Sequence, residues 1–187
     1  DLLRRAGFRD FRILDAADGV GGVWHHNRYP GIAVDIPSTT YSYSFERNPS
    51  WSRLFAPGAE LKQYAEHCVR KYGLEPHIQL HTKVDRAVFD EHENVWRLHT
   101  GSDVITARFL IGAVGPLDQP KNPDIKGIND FRGELVHTAR WDDSVAIDGK
   151  RVAVIGTGAT ALQLVPILAE RAAHLEVYQR TPIWVMP

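Results

Sequence analysis

Val152-Ala-Val-Ile155-Gly156-Thr157-Gly158-Ala159-Thr160-Ala161 is a short β-branched run followed by a glycine-rich turn. A strand that turns directly into a helix needs one glycine for the turn and a second where the backbone approaches a pyrophosphate, and its third position must be small so that helix and strand pack closely. Gly156, Gly158 and Ala161 meet these requirements. Phosphates would lie at the helix N-terminus, where free N–H groups and the helix dipole favour negative charge. The stretch therefore predicts a dinucleotide-binding turn; the alternative is a glycine turn with no ligand.

The residues after this turn support the first interpretation. Leu162, Val165 and Leu168 predict the apolar face of a helix, and residues 175–178 predict a second strand that completes a βαβ unit. An acidic residue after that strand would bind the ribose of NAD, whereas an arginine accommodates the 2′-phosphate of NADP. Arg180 stands there without an acid, and we interpret it as an NADP contact; the alternative is a solvated surface cation.

The segment before the turn carries a second pattern, F-x-G-x-x-x-H-x-x-x-W, formed by Phe131, Gly133, His137 and Trp141. It resembles the fingerprint of the Baeyer–Villiger monooxygenases, which use a flavin and NADPH. Further stretches along nearly the whole chain are similar to that family: Gly21-Gly22-Val23-Trp24, Asn27-Arg28-Tyr29-Pro30-Gly31, Asp35, Tyr41-Ser42-Tyr43-Ser44-Phe45, Asp148-Gly149-Lys150-Arg151 and Gln179-Arg180-Thr181-Pro182. Without the fingerprint, the pattern would indicate only a two-nucleotide oxidoreductase.

The resemblance implies an α/β fold in two parts. Residues 1–145 would form a partial doubly wound FAD-binding domain with an antiparallel β-meander at about 84–107, and residues 146–187 would begin an inserted NADP-binding Rossmann-like βαβ domain. Residues 109–111 are apolar and predict a buried strand that returns to the main sheet. The family's first strand with its glycine loop, and its active-site arginine, have no counterpart here. We therefore interpret the chain as an internal fragment that lacks both ends and expect it not to retain FAD or turn over alone.

The resemblance also implies the residues of two cofactor sites and one catalytic residue. The FAD contacts would be Asp15, Gly21, Gly22, Val23, Trp24, Asp35, Tyr41 and Val84. The NADP contacts would be Gly156, Thr157, Gly158, Ala159, Thr160, Ala161, Gln163, Arg180 and Thr181. Asp35 would be catalytic, since in the family it orients an arginine that stabilises the oxygenated flavin.

Two of these residues have a structural alternative. Asp15 is equally typical of a surface turn with Asp18 and Gly19, and only the resemblance favours ribose binding. We interpret His137 as a hydrogen-bonded residue of a linker that couples domain movement, and not as a general base.

The function that the resemblance implies is an NADPH-dependent flavoprotein monooxygenase. It would insert one oxygen atom from molecular oxygen next to the carbonyl of a small ketone and give an ester or a lactone. One alternative is a flavin monooxygenase that oxygenates amines or sulfides. The other is a non-catalytic nucleotide-binding fragment.

Composition narrows the class of protein and its location. The 187 residues carry a net charge of −1, which indicates neither nucleic acid nor an anionic membrane as partner. The single cysteine, Cys68, excludes an internal disulfide and argues against the disulfide-reductase branch of two-nucleotide flavoproteins, which needs a cysteine pair. We expect a cytoplasmic location. No apolar run has the length of a membrane span, and the histidines show no metal-binding spacing, so we predict no metal site.

Overall fold

The computed structural model describes residues 2–185, and these divide into two compact units. Residues 2–22 and 64–116 form the first unit, and residues 23–63 and 117–185 form the second. The outer ends of the two predicted cofactor domains, residue 1 and residues 186–187, lie outside the described part of the chain.

Helices and strands are both present, which confirms the α/β fold class. The α-helices are α1 Leu2–Arg5, α2 Val23–His26, α3 Gly58–Lys71 and α4 Ala159–Arg171. The strands are β1 Ile13–Leu14, β2 Ile78–Gln79, β3 Arg86–Asp90, β4 Val95–Thr100, β5 Asp103–Ala107, β6 Arg151–Ile155 and β7 His174–Tyr178. Among the described residues, no helix is long and apolar enough to cross a membrane.

The first unit contains two small sheets. Strands β1 and β2 pair in parallel, with Ile13 opposite Ile78. Strands β3, β4 and β5 form an antiparallel meander in sequence order, as the alternation of apolar and polar residues predicts. Leu98, at the centre of β4, is only 5% exposed and anchors the buried face of the meander.

The prediction of a strand at residues 109–111 is wrong. Phe109 and Ile111 are 73% and 72% exposed, and the segment forms no ladder with any described strand. An apolar run becomes a strand only where a neighbouring backbone accepts and donates its hydrogen bonds. Within the described part of the first unit, β1 pairs only with β2, and the meander is a separate sheet.

The second unit contains the βαβ segment that the glycine stretch predicts. Strands β6 and β7 run parallel, with Val152 opposite Leu175, and α4 connects them. The predicted face of α4 is corrected in one respect. Leu164 and Leu168 are 3% and 2% exposed and pack on apolar residues of both strands, whereas Leu162 is 42% exposed. Residues four apart share a helix face, and Leu162 is two positions from Leu164, so it points away from the core.

The C-terminal end of α4 is attached to the loop before β6. Arg171, the last residue of α4, donates two hydrogen bonds to the carboxylate of Asp148, at 2.7 and 2.9 Å. These contacts hold the pKa of Asp148 below its ordinary value. The N–H of Gly149 also donates to the carbonyl of Arg171, at 3.1 Å. The start of the Asp148–Arg151 stretch therefore holds the C-terminal end of α4 close to the beginning of β6.

The burial difference on α4 gives a prediction with a matched control. Leu168→Ala should lower the free energy of unfolding by about 2–5 kcal/mol, because it leaves a cavity in the core. Leu162→Ala, the same change on the exposed side of the helix, should cost less than about 1 kcal/mol. Urea unfolding followed by far-ultraviolet circular dichroism measures both. Equal losses of stability would show that Leu162 and Leu168 are both buried, as the sequence pattern alone predicts.

Candidate functional site

The turn between β6 and α4 leads into a helix whose first backbone N–H groups have no side-chain cap. Gly156 has a φ of +107°, a conformation that favours glycine. Gly158 is the N-cap of α4, and no side chain caps the helix. A Cβ at either position would meet no other atom within 4 Å. The first N–H groups of α4 are therefore uncapped and accessible, which fits a phosphate group at this end of the helix.

A single hydroxyl connects this turn to the segment after β7. The side chain of Thr157 accepts a hydrogen bond from Gln179 Nε2 at 3.2 Å and donates to the carbonyl of Thr181 at 3.4 Å. These two partners are the neighbours of Arg180 on either side. The contacts therefore hold the Arg180 segment beside the glycine turn.

The charges at this edge of the sheet favour a phosphate. Arg180 is exposed, and no acidic residue follows β7 at that point. Glu176, the one carboxylate within β7, accepts hydrogen bonds from the Tyr178 hydroxyl and the His174 ring. The bond from Tyr178, followed by that from His174, lowers the pKa of Glu176. Both of these partners lie in β7, so the Glu176 carboxylate does not take the place of an acidic residue after β7 that would bind the ribose.

Residues 29–35 pack directly against α4 through the side chain of Gln163. Oε1 of Gln163 accepts hydrogen bonds from the Tyr29 hydroxyl at 2.8 Å and from the Ala33 N–H at 3.3 Å. Nε2 of Gln163 donates to the Ala33 carbonyl at 2.9 Å. The amide thus pairs with both backbone groups of one residue, much as a neighbouring strand would.

Gly31 allows this close approach. Its φ is +82°, and a Cβ there would lie 2.5 Å from the carbonyl oxygen of Gln163 and 2.7 Å from Cδ1 of Ile167. Both distances are shorter than real Cβ contacts, so any side chain would push the loop away from the helix.

Tyr29 belongs to the same contact. Its ring is 7% exposed and lies in the core cluster with Ile147, Leu164 and Leu168. Burial raises the pKa of the Tyr29 hydroxyl, a hydrogen bond with Thr160 acts in the opposite direction, and the negative charge of Asp35 adds to the rise. The Tyr29 hydroxyl thus joins the loop to Gln163 of α4.

Asp35, the predicted catalytic residue, is exposed at the end of this loop. Its neighbour Val34 is 2% exposed and its N–H donates to the Ala56 carbonyl at 3.0 Å. The backbone on the N-terminal side of Asp35 is therefore held from two directions, by α4 and by the segment that precedes α3. The carboxylate itself stays accessible.

Of the predicted FAD contacts in the second unit, Trp24 and Tyr41 touch each other. Trp24 Nε1 donates to the Tyr41 hydroxyl at 3.1 Å, and the rings meet edge to face with centroids 5.7 Å apart. Both pack on the buried cluster of Val34, Ala56 and Leu61. Val23 is the first residue of α2.

The residues of the first unit that were predicted to contact FAD have the following local conformations. Asp15 directly follows β1, and its Oδ1 accepts from the N–H of Ala17 at 2.9 Å, so it forms the turn that the alternative interpretation requires. Gly21 and Gly22 have φ values of +124° and +56°. Val84 is 38% exposed and precedes the meander. A ribose contact of Asp15 stays a prediction.

The fingerprint segment is built on two local contacts. The Phe131 ring folds over Gly133, and a Cβ at Gly133 would lie 2.6 Å from two ring carbons and displace this exposed ring. Nδ1 of His137 accepts from the N–H of Ala139 at 3.1 Å and so caps the short 3₁₀ helix Thr138–Arg140. Trp141 packs on the core cluster that contains Tyr29. The hydrogen bond agrees with a structural role for His137.

Fold and site together define an α/β protein with an uncapped glycine turn before α4. The model of the pyridine nucleotide-disulphide oxidoreductase family matches residues 32–186, and the chain therefore belongs to that family. An NAD(P)-binding Rossmann-like domain model matches residues 1–57.

Curated relatives narrow the family to monooxygenases. The chain is 44% identical over 185 residues to a Baeyer–Villiger monooxygenase of Streptomyces coelicolor, and the match covers 99% of this chain and 36% of the relative. It is 42% identical to one of Pseudomonas aeruginosa, with 99% and 35% covered. A phenazine N-monooxygenase of Lysobacter antibioticus is 40% identical, with 94% and 34% covered. The chain thus spans about a third of the length of the relatives it matches.

Solved structures agree with these relatives. An oxidized steroid monooxygenase bound to NADP is 42% identical with a TM-score of 0.89, and the match covers 100% of this chain and 37% of that one. A complex of OTEMO with FAD and NADP is 39% identical with a TM-score of 0.91, over 100% and 37% of the two chains. The resemblance to Baeyer–Villiger monooxygenases is confirmed.

Sequence reasoning gave Tyr29 no role and assigned Gln163 to the dinucleotide. The structure places both in one hydrogen-bonded contact between residues 134 positions apart. No local pattern relates such positions, and the only signal was the Pro30-Gly31 pair, which marks a tight turn.

The loop contact gives a prediction with a matched control. Gly31→Ala and Gly149→Ala both place a side chain at a positive φ, +82° and +67°, but a Cβ at Gly149 meets nothing within 4 Å. Both should lose about 1 kcal/mol of stability to backbone strain. Gly31→Ala should lose about 1–3 kcal/mol more, because its Cβ collides with α4. Urea unfolding of both variants provides the comparison, and equal losses would contradict the close approach.

Proposed function

We propose that the chain serves in an FAD- and NADPH-dependent monooxygenase that inserts one oxygen atom next to the carbonyl of a small ketone and gives an ester or a lactone. The fingerprint and the similarity to Baeyer–Villiger monooxygenases support this activity. The observation that carries the cofactor assignment is the Thr157 link, which holds Arg180 beside an uncapped glycine turn with no acid near by.

NADPH and FAD would supply the electrons and the oxygen-transfer chemistry, and the chain's residues bind and orient them. Backbone N–H groups of residues 157–161 would bind the pyrophosphate, and Arg180 would bind the 2′-phosphate. Thr157 and Thr181 fix the position of that arginine through their mutual hydrogen bond. Asp35 would present an accessible carboxylate to a cationic group at the reacting centre.

The FAD contacts rest on the resemblance. In the first unit these are Asp15, Gly21, Gly22 and Val84; in the second they are Val23, Trp24, Asp35 and Tyr41. The division into an FAD-binding part, 1–145, and an NADP-binding part, 146–187, rests on the same ground. Trp24 and Tyr41 form one edge-to-face aromatic pair, and either ring would contact a planar group beside it.

A second candidate function is oxygenation of an amine nitrogen, favoured by the similarity to a phenazine N-monooxygenase. Turnover of ketones and of aromatic amines under the same NADPH supply separates the two. We further propose a cytoplasmic protein, in agreement with the single cysteine of these 187 residues, Cys68, which is buried.

Removal of the Arg180 charge should change cofactor preference. In the full-length, FAD-loaded protein, Arg180→Ala should lower kcat/KM for NADPH by about 10- to 100-fold, the value of a charge-assisted phosphate contact, and leave NADH nearly unaffected. Steady-state kinetics with both cofactors measure the split. Arg151→Ala is the matched control, because it removes an equal, 81% exposed charge at the opposite end of β6. Equal losses with both cofactors would refute the 2′-phosphate contact.

Removal of the Asp35 charge should uncouple NADPH oxidation from oxygenation. Asp35→Asn keeps the shape and an exposed position, so the fold should be preserved. Hydrogen peroxide released per NADPH consumed should rise severalfold while ester formation falls. Asp143→Asn, at another exposed carboxylate of the second unit, is the control. A fully coupled Asp35→Asn enzyme would exclude the catalytic role.

A further inference from the structure

The amide of Gln163 joins two parts of the second unit that the proposed function uses for different purposes. Gln163 stands one helical turn after the phosphate-binding turn, on the same helix. Its three hydrogen bonds all go to the loop that ends at Asp35: one from the Tyr29 hydroxyl and two with the backbone of Ala33. The amide oxygen and one of the two Nε2 hydrogens of Gln163 are therefore bonded to the loop.

Tyr29 joins the same loop to α4. Its hydroxyl donates to Gln163 Oε1 at 2.8 Å and interacts with Thr160, in the first turn of α4. A continuous chain of hydrogen bonds therefore runs from Tyr29 through Gln163, on α4, to the Ala33 backbone, two residues before Asp35. Gly31 lies so near α4 that the loop has no room to move inward.

We propose that Gln163 is a positioning residue that couples occupation of the phosphate turn to the position of Asp35. This inference rests on the proposed function, and it assigns Gln163 to the loop in place of a direct contact with the dinucleotide. A phosphate at the N-terminus of α4 fixes Thr160 and the first turn. The bonds of Tyr29 and Gln163 then hold the Ala33 backbone, and with it the Asp35 carboxylate, in one place.

Hydrogen exchange of the full-length, FAD-loaded protein, with and without NADP⁺, tests the coupling without turnover. NADP⁺ should slow amide exchange both at residues 156–161 and at residues 31–35 of the wild type, by about fivefold or more at the loop, the lower end of ordinary coupling between sites. Gln163→Met keeps the length of the side chain and removes all three bonds. In it, protection should persist at 156–161 and be lost at 31–35.

Two further variants separate coupling from a general loss of structure. Tyr29→Phe removes one bond and should weaken the protection of the loop partly. Leu162→Ala alters the neighbouring, exposed position of α4 and should keep both effects. Peroxide release should follow the same order, with the largest increase in Gln163→Met at a nearly unchanged rate of flavin reduction.

The outcomes distinguish this inference from the proposed function. Protection at 156–161 with no response at 31–35 in the wild type would overturn the coupling and leave dinucleotide binding intact. Loop protection that survives Gln163→Met would show that NADP⁺ acts on the loop directly and would also overturn it. No protection at 156–161 would reject the dinucleotide site, and the inference with it.

Discussion

The second unit depends on one close backbone approach, that of Gly31 to the carbonyl of Gln163 on α4. A glycine is required because any Cβ would lie 2.5 Å from that carbonyl oxygen. The approach brings the Ala33 backbone within reach of the Gln163 amide, which satisfies its N–H and its carbonyl together. Backbone polar groups away from water need such partners. The helix therefore holds the loop in place through Gly31 and Gln163.

The same helix is held along its whole length by different forces. Leu164 and Leu168 bury its middle against β6 and β7, Arg171 binds Asp148 at its C-terminal end, and Gln163 receives the loop on another side. The N-terminal turn has no side-chain cap. A packed helix with an uncapped N-terminus is suited to bind an anion, because its N–H groups are ordered before the ligand arrives.

Sequence patterns predicted the elements whose signals are local. The meander followed from alternation within β3, β4 and β5, and the βαβ segment followed from a strand, a glycine turn and a helical period. The pattern at residues 109–111 failed, because an apolar run does not reveal whether a partner strand lies beside it. The prediction of the buried face of α4 was wrong at Leu162 for a similar reason. Leu162 and Leu164 are equally apolar, and only packing distinguishes them.

The sequence by itself determined the chemistry at the edge of the β6–β7 sheet. Glycines at 156 and 158, an arginine at 180 and no acid near it follow from residue identity and spacing, because turn geometry and charge are properties of short segments. Only the tertiary structure decided that Tyr29, Ala33 and Gln163 form one hydrogen-bonded contact across more than a hundred positions. Such a contact depends on how a buried ring and a helix pack, and no local period in the sequence carries that information.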